Sequence, residues 1–77
     1  MKYNVKAFAN IRYYLPLEQE DYEFNGKDNL TVSEILTLLN IPDSEVMLVK
    51  VNDQVVSRNY SPKEKEILEI FPTLSGG

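Results

Sequence analysis

Apolar and polar residues alternate over positions 2–9, with Tyr3, Val5 and Ala7 on one side and Lys2, Asn4, Lys6 and Phe8 on the other. Successive side chains of an extended chain point to opposite faces, so a period of two predicts a half-buried β-strand. Phe8 is the odd member, an aromatic on the polar side. Ile11, Tyr14 and Leu15 follow at helical spacing and Pro16 ends the run, which predicts one short helical turn. Tyr22 and Phe24 then alternate with charged neighbours into Asn25-Gly26, a second strand closed by a turn.

Thr31-Val32-Ser33-Glu34 has the spacing of a capping box, in which the Thr hydroxyl and the Glu carboxylate each satisfy an amide left over at a helix start. Val32, Ile35, Leu36 and Leu39 recur at i, i+3, i+4 and i+7, one apolar stripe for a core, and Asn40 and Pro42 close the helix. Val46 to Val51 is rich in β-branched residues and predicts a third strand, with Asn52-Asp53 as a turn and Val55-Val56 as a short strand back. Residues 57–66 hold Pro62 and the alternating run Lys63-Glu64-Lys65-Glu66, and predict a connection carrying a solvated charge run. Ile67 to Phe71 is the last strand, with Leu68 and Ile70 inward and Pro72 breaking it. Strand, strand, helix, strand, short strand, strand is the pattern of an α+β domain, a mixed five-stranded sheet with one main helix packed on one face.

Composition narrows the chemistry. The chain has 77 residues and neither cysteine nor histidine. Disulfides and thiolate metal sites are therefore excluded, and the commonest general base and metal ligand is missing. A self-contained hydrolase or metalloenzyme is not expected. The net charge of −4 argues against nucleic acid, whose binding depends on phosphate neutralisation by Lys and Arg. With no membrane-length apolar run and no signal-peptide pattern, the expected location is cytoplasmic. The carboxylates Glu18, Glu20, Asp21 and Glu23 lack fixed ligand spacing, so they read as a solvated strand edge in preference to a cation site.

The end of the chain changes the picture most. Two of its three glycines are Gly76 and Gly77, reached through Phe71-Pro72-Thr73-Leu74-Ser75. Residues 1–72 are read as the folded body and 73–77 as a flexible Gly-Gly tail, with Gly77 carrying the chemistry on its α-carboxylate. The competing reading is a frayed terminus.

With these elements in place the chain resembles the β-grasp sulfur-carrier family, ubiquitin-like in fold, and within it the small-subunit branch of molybdopterin synthase. The resemblance covers essentially the whole length. It rests on Val5-Lys6-Ala7-Phe8-Ala9-Asn10-Ile11-Arg12, the capped helix at 31–39, Val49-Lys50-Val51-Asn52 with its turn, and Ile70-Phe71-Pro72-Thr73-Leu74-Ser75-Gly76-Gly77. The chain departs from the pattern at Pro72-Thr73, where many relatives have two prolines, and at Asn52-Asp53, where many have Asn-Gly. Lys65-Glu66 also stands where a turn glycine is common. The thiazole-forming sulfur carrier of thiamine synthesis is the nearest alternative, but its members usually lack the Phe-Ala-x-x-Arg start and the Phe-Pro before the tail.

The resemblance implies a mechanism. A ubiquitin-activating-type enzyme uses ATP to adenylate the terminal carboxylate, and sulfur then displaces AMP to leave a thiocarboxylate on Gly77. The large subunit of molybdopterin synthase would receive the tail, and the sulfur would pass to a cyclic pyranopterin phosphate. The chain itself binds no cofactor in this account. Gly76 and Gly77 lack Cβ and suit a narrow channel. An extended run from Thr73 to Gly77 reaches on the order of 16 Å. Parallel first and last strands, as in β-grasp folds, would set Phe8 and Phe71 side by side with Leu48 next to them. Pro72 and Leu74 at the tail's exit complete that expected partner interface. Arg12 has two open readings, a partner's carboxylate or solvation of the first turn. A protein modifier conjugated through Gly77, or a plain interaction module, are the other functions this sequence leaves standing.

Overall fold

Five strands and one α-helix form where the hydrophobic pattern predicts them in a computed structural model that describes residues 1–74. They are β1 (Lys2–Ala7), β2 (Asp21–Asn25), α1 (Val32–Leu38), β3 (Val46–Val51), β4 (Gln54–Val56) and β5 (Ile67–Pro72). The sheet order is β2-β1-β5-β3-β4, with β1 and β5 parallel at the centre and every other pair antiparallel. One face is covered. Tyr3, Val5 and Ala7 of β1, Leu68 and Ile70 of β5, and Val49 and Val51 of β3 point into a core shared with Val32, Ile35 and Leu36 of α1. The Tyr3 hydroxyl stays satisfied inside it, donating to Lys27 O at 2.8 Å and accepting from Leu30 N at 3.0 Å.

The helix is held at both ends. Thr31 Oγ1 accepts from Glu34 N and Glu34 Oε1 accepts from Thr31 N, at 3.2 and 2.9 Å, so the capping box forms. Two more first-turn amides, Val32 N and Ser33 N, donate to the carbonyls of Tyr60 and Arg58 in the connection before β5. At the other end Asn40 takes a left-handed conformation, φ 59°. Ile41 N then reaches back to Leu36 O and Asn40 N to Thr37 O, the paired bonds of a Schellman stop.

Several expectations need correction. β1 ends at Ala7, because residues 9–14 turn at once into a 3-10 helix, Ala9–Tyr14, rather than prolonging the strand to residue 9. Ile11 of that helix is buried and Tyr14 is partly exposed, while Leu15 is buried because it has already left the helix for an extended conformation, φ −87° and ψ 154°, so the three do not share one helical side. Pro72 does not break β5; it is the strand's last residue, opposite Val46. Ile70 O accepts from Phe8 N, so residue 72 turns its nitrogen to the same side, where β1 has already ended and no ladder donor is needed. Nor is Glu66 merely solvated. Its Oε1 accepts from the Tyr60 hydroxyl at 2.6 Å and from Lys63 N at 2.8 Å, which folds the charge run onto the start of β5.

Candidate functional site

The face of the sheet away from α1 is ordered by cross-strand register. Phe8 N bonds Ile70 O at 3.1 Å, which carries β1 alongside β5 for one residue beyond its end. The rings of Phe8 and Phe71 then lie parallel, 4.4 Å between centroids and 6° between planes. Leu48 is the β3 partner of Phe71. Phe8, Phe71 and Leu48 thus form one apolar row across three strands, each half-buried because it covers its neighbour.

That row depends on a β-bulge in β3. Val46 pairs with Pro72 and Leu48 with Phe71, so Met47 is the extra residue. Without the slip, Val46 and Val49, three apart, cannot both face the core; with it, both are buried and Met47 is 48% exposed.

The next row is charged. Asp21 pairs with Lys6, Lys6 with Glu69, and Glu69 with Lys50, one alternating series across four strands. Opposite charges directly across a ladder attract, and the order discourages any slip of register. The same row serves the aromatics. Lys6 Nζ lies 5.5 Å from the Phe8 ring centroid and Lys50 Nζ lies 5.5 Å from that of Phe71, both within cation–π reach. An apolar strip bordered by two ammonium groups fits a partner surface that is apolar at its centre and acidic beside it. The signal for the lysines was present in the sequence, since Lys6 and Lys50 each stand two residues from Phe8 and Leu48. What joined them was register, which the sequence does not print.

At the exit of the tail, Thr73 N donates to Glu45 O at 3.1 Å, so the backbone is tied to the entry of β3. Leu74 follows, 84% exposed. Of the predicted site residues, Phe8, Leu48 and Phe71 come together, Pro72 lies at the end of the same strand, and Leu74 projects beyond it. Gly76 and Gly77 lie outside the described residues. Arg12 is exposed, with its guanidinium 5.3 Å from the Tyr13 ring.

Perturbed side chains lie elsewhere. The hydroxyl–carboxylate hydrogen bond raises the Tyr60 pKa and lowers that of Glu66, at the end of β5 remote from the tail. The Thr31 amide likewise lowers Glu34 at the helix start. Among the described residues no group of three or more Asp or Glu is placed to hold a metal ion, and no helix is long and apolar enough to cross a membrane. What the geometry offers is an apolar strip bordered by two lysines and a backbone tied down at Thr73.

A model of the ThiS family matches residues 5–77. No curated protein matches the sequence. Among solved structures, SAMP1 from Haloferax volcanii superposes with a TM-score of 0.73 at 17% identity, over 100% of both chains. A protein assigned as molybdopterin converting factor subunit 1 from Pyrococcus furiosus gives 0.72 at 18% identity, over 95% of this chain and 98% of that one. A complex of subunits 1 and 2 of molybdopterin-converting factor from Helicobacter pylori gives 0.62 at 20% identity, over 100% of both chains. At these identities the likeness is one of fold, the ubiquitin-like β-grasp.

Proposed function

The chain belongs to the ThiS family of ubiquitin-like sulfur carriers, and from that premise we propose that it carries sulfur as a thiocarboxylate on Gly77 and serves as the small subunit of molybdopterin synthase. The observation that carries this reading is a family match that runs through the body and on to the last glycine. An activating enzyme of the ubiquitin-activating type would bind ATP, and the Gly77 carboxylate would attack its α-phosphate and expel pyrophosphate. Hydrosulfide, or a donor that delivers sulfur at that oxidation level, then attacks the acyl carbon, AMP leaves, and the sulfur stays on Gly77 as a thiocarboxylate. The thiocarboxylate enters the large subunit and gives its sulfur to a cyclic pyranopterin phosphate in molybdenum cofactor synthesis.

Each part of this chain has a task in the scheme. The strip of Phe8, Phe71 and Leu48 docks on the partner, and Lys6 and Lys50 orient it. The Thr73–Glu45 bond fixes where the tail departs, so the partner meets a defined origin and a narrow chain end. Stabilising groups for the transition states come from the partners. The solved complex of converting-factor subunits 1 and 2 supports a large-subunit partner for a chain of this fold. Conjugation to a lysine, the modifier reading, uses the same acyl-adenylate with a different nucleophile, and the likeness in fold to SAMP1, small archaeal modifier protein 1 of H. volcanii, keeps it as the second reading.

Intact mass after incubation with an activating enzyme, ATP and a sulfur donor tests the proposal. Sulfur for oxygen adds about 16 Da, the same increment as oxidation of Met1 or Met47, so fragmentation must place the gain on Gly77. Removing Gly76 and Gly77 should abolish it. An isopeptide-linked adduct in its place favours the modifier, and no change on Gly77 with a competent activator refutes both.

A further inference from the structure

β2 is an edge strand, paired with β1 on one side and, among the described residues, with no strand on the other. Gly26 N donates to Met1 O at 2.9 Å and Ala7 N to Glu20 O at 2.8 Å. In an antiparallel ladder those bonds fix the alternation: the backbone groups of Tyr22 and Phe24 turn to β1, and those of Asp21, Glu23 and Asn25 turn to the open edge. Side chains divide the other way. Tyr22 and Phe24 fall on the helix side with their rings 6.0 Å apart, while Asp21 and Glu23 fall on the open face.

The helix side of this edge is hollow. Tyr22, Phe24, Leu30, Leu38 and Leu39 border a groove of about 690 Å³ between β2 and α1. Leu38 is 59% exposed on its rim, a leucine outside the stripe that faces the core. The open-face side is acidic. Lys2 and Lys6 approach only Glu23 and Glu20, at 3.7 and 3.8 Å, and both come from the β1 side. Among the described residues Glu18 and Asp21 form no salt bridge, although Lys6 stands across the ladder from Asp21 and the charge of Glu18 acts on Arg12.

We propose that this edge and groove form a second docking site, which takes an extended partner segment of alternating basic and apolar residues as a sixth strand. Strand addition uses the outward amides and carbonyls of Asp21, Glu23 and Asn25. Alternate side chains of such a segment necessarily divide between the two faces. Those on the helix side enter the groove beside Leu38, and those on the open face meet Asp21 and Glu23, which selects Lys or Arg there. A second copy of this chain is a poor occupant, because β2 against β2 sets acidic strand on acidic strand. The site does not rest on the sulfur chemistry. Its groove lies on the helix side of the sheet, across from the strip of Phe8, Phe71 and Leu48, and its acidic half, Asp21 and Glu23, lies on the strip's face at the outer edge, where β1 separates β2 from β5.

Titrating the ¹⁵N-labelled full chain with a synthetic octapeptide of alternating Lys and Val tests this. Saturable shifts are expected at residues 21–25 and 37–39. A peptide of the same composition in two blocks, four Lys then four Val, should bind far more weakly. Leu38→Lys should weaken the alternating peptide at least about tenfold, by removing an apolar contact and adding like charge. Asp21→Asn should weaken it about two- to fivefold, the range of an exposed charge pair. Both positions are solvent-facing, and an unchanged amide spectrum elsewhere certifies the fold of each variant. Equal binding of the block peptide, shifts centred on Phe71, or no saturable binding overturns the proposal and leaves the edge as one guarded by charge against aggregation.

Discussion

Asn52 and Asp53 join β3 to β4 with φ of 53° and 65°, both left-handed. A two-residue hairpin needs that conformation at both positions for its twist to match the strands, and any Cβ resists it. Asn and Asp resist it least among residues with side chains, which is why the turn closes without glycine. Asp53→Gly should therefore stabilise the protein by about 0.5–1 kcal/mol, read as a raised urea midpoint at constant slope. This turn was legible because Asn-Asp between two β-branched runs names it. The consecutive left-handed pair Leu17 and Glu18 was not, since nothing about a leucine advertises positive φ. The Met47 bulge was equally silent. Val46 to Val49 is apolar throughout, so its pattern has no alternation to break, and only pairing with Pro72 and Phe71 fixes the slip.

Between elements, the connection at residues 57–66 does more than span a gap. Its carbonyls cap α1, Arg58 donates to Asp43 at 2.6 Å and to Val46 O at 3.0 Å, and Tyr60 is tied to Glu66. Glu66 and Glu34 both have pKa values lowered from an ordinary 4.5, by the Tyr60 hydroxyl and the Thr31 amide respectively. A lowered folded-state value means that the stabilisation is present above the unfolded pKa and is lost as pH falls through the folded one. The urea midpoint should accordingly drop between about pH 5 and pH 3, and Glu66→Gln should make that drop shallower. An equal pH dependence in the variant would show that Glu66 contributes nothing to it. The capping box was plain in the sequence because both partners lie within four residues. The Arg58 clamp was not, because Asp43 and Val46 lie 15 and 12 residues earlier and no local pattern links them.

Across the whole molecule, the central pair of strands joins the two ends of the chain. β1 and β5 are parallel, and Val5 meets Leu68 while Ala7 meets Ile70. Neither half completes the sheet alone. A domain of this length is held by only about 4–12 kcal/mol, and Leu68→Ala should remove about 2–5 of it by emptying a fully buried site. The loss should appear as one transition, coincident by far-ultraviolet dichroism and tyrosine fluorescence, because no part of the sheet stands without β5. Element types and the face each buries were readable from period alone; strand order was not, since periodicity carries no information about neighbours. The resemblance supplied the parallel neighbourhood of the first and last strands, and with it the adjacency of Phe8 and Phe71; the places of β2 and β4 came only with the structure. The parallel pairing also has a mechanical consequence. A pull on the chain end beyond Pro72, opposed at Met1, drags β5 and β1 past each other along their length. Their hydrogen bonds lie across that load and must give way together, whereas a hairpin pulled at its open end would unzip one bond at a time. The tail proposed to enter a partner is thus fastened to the body through its most tear-resistant seam.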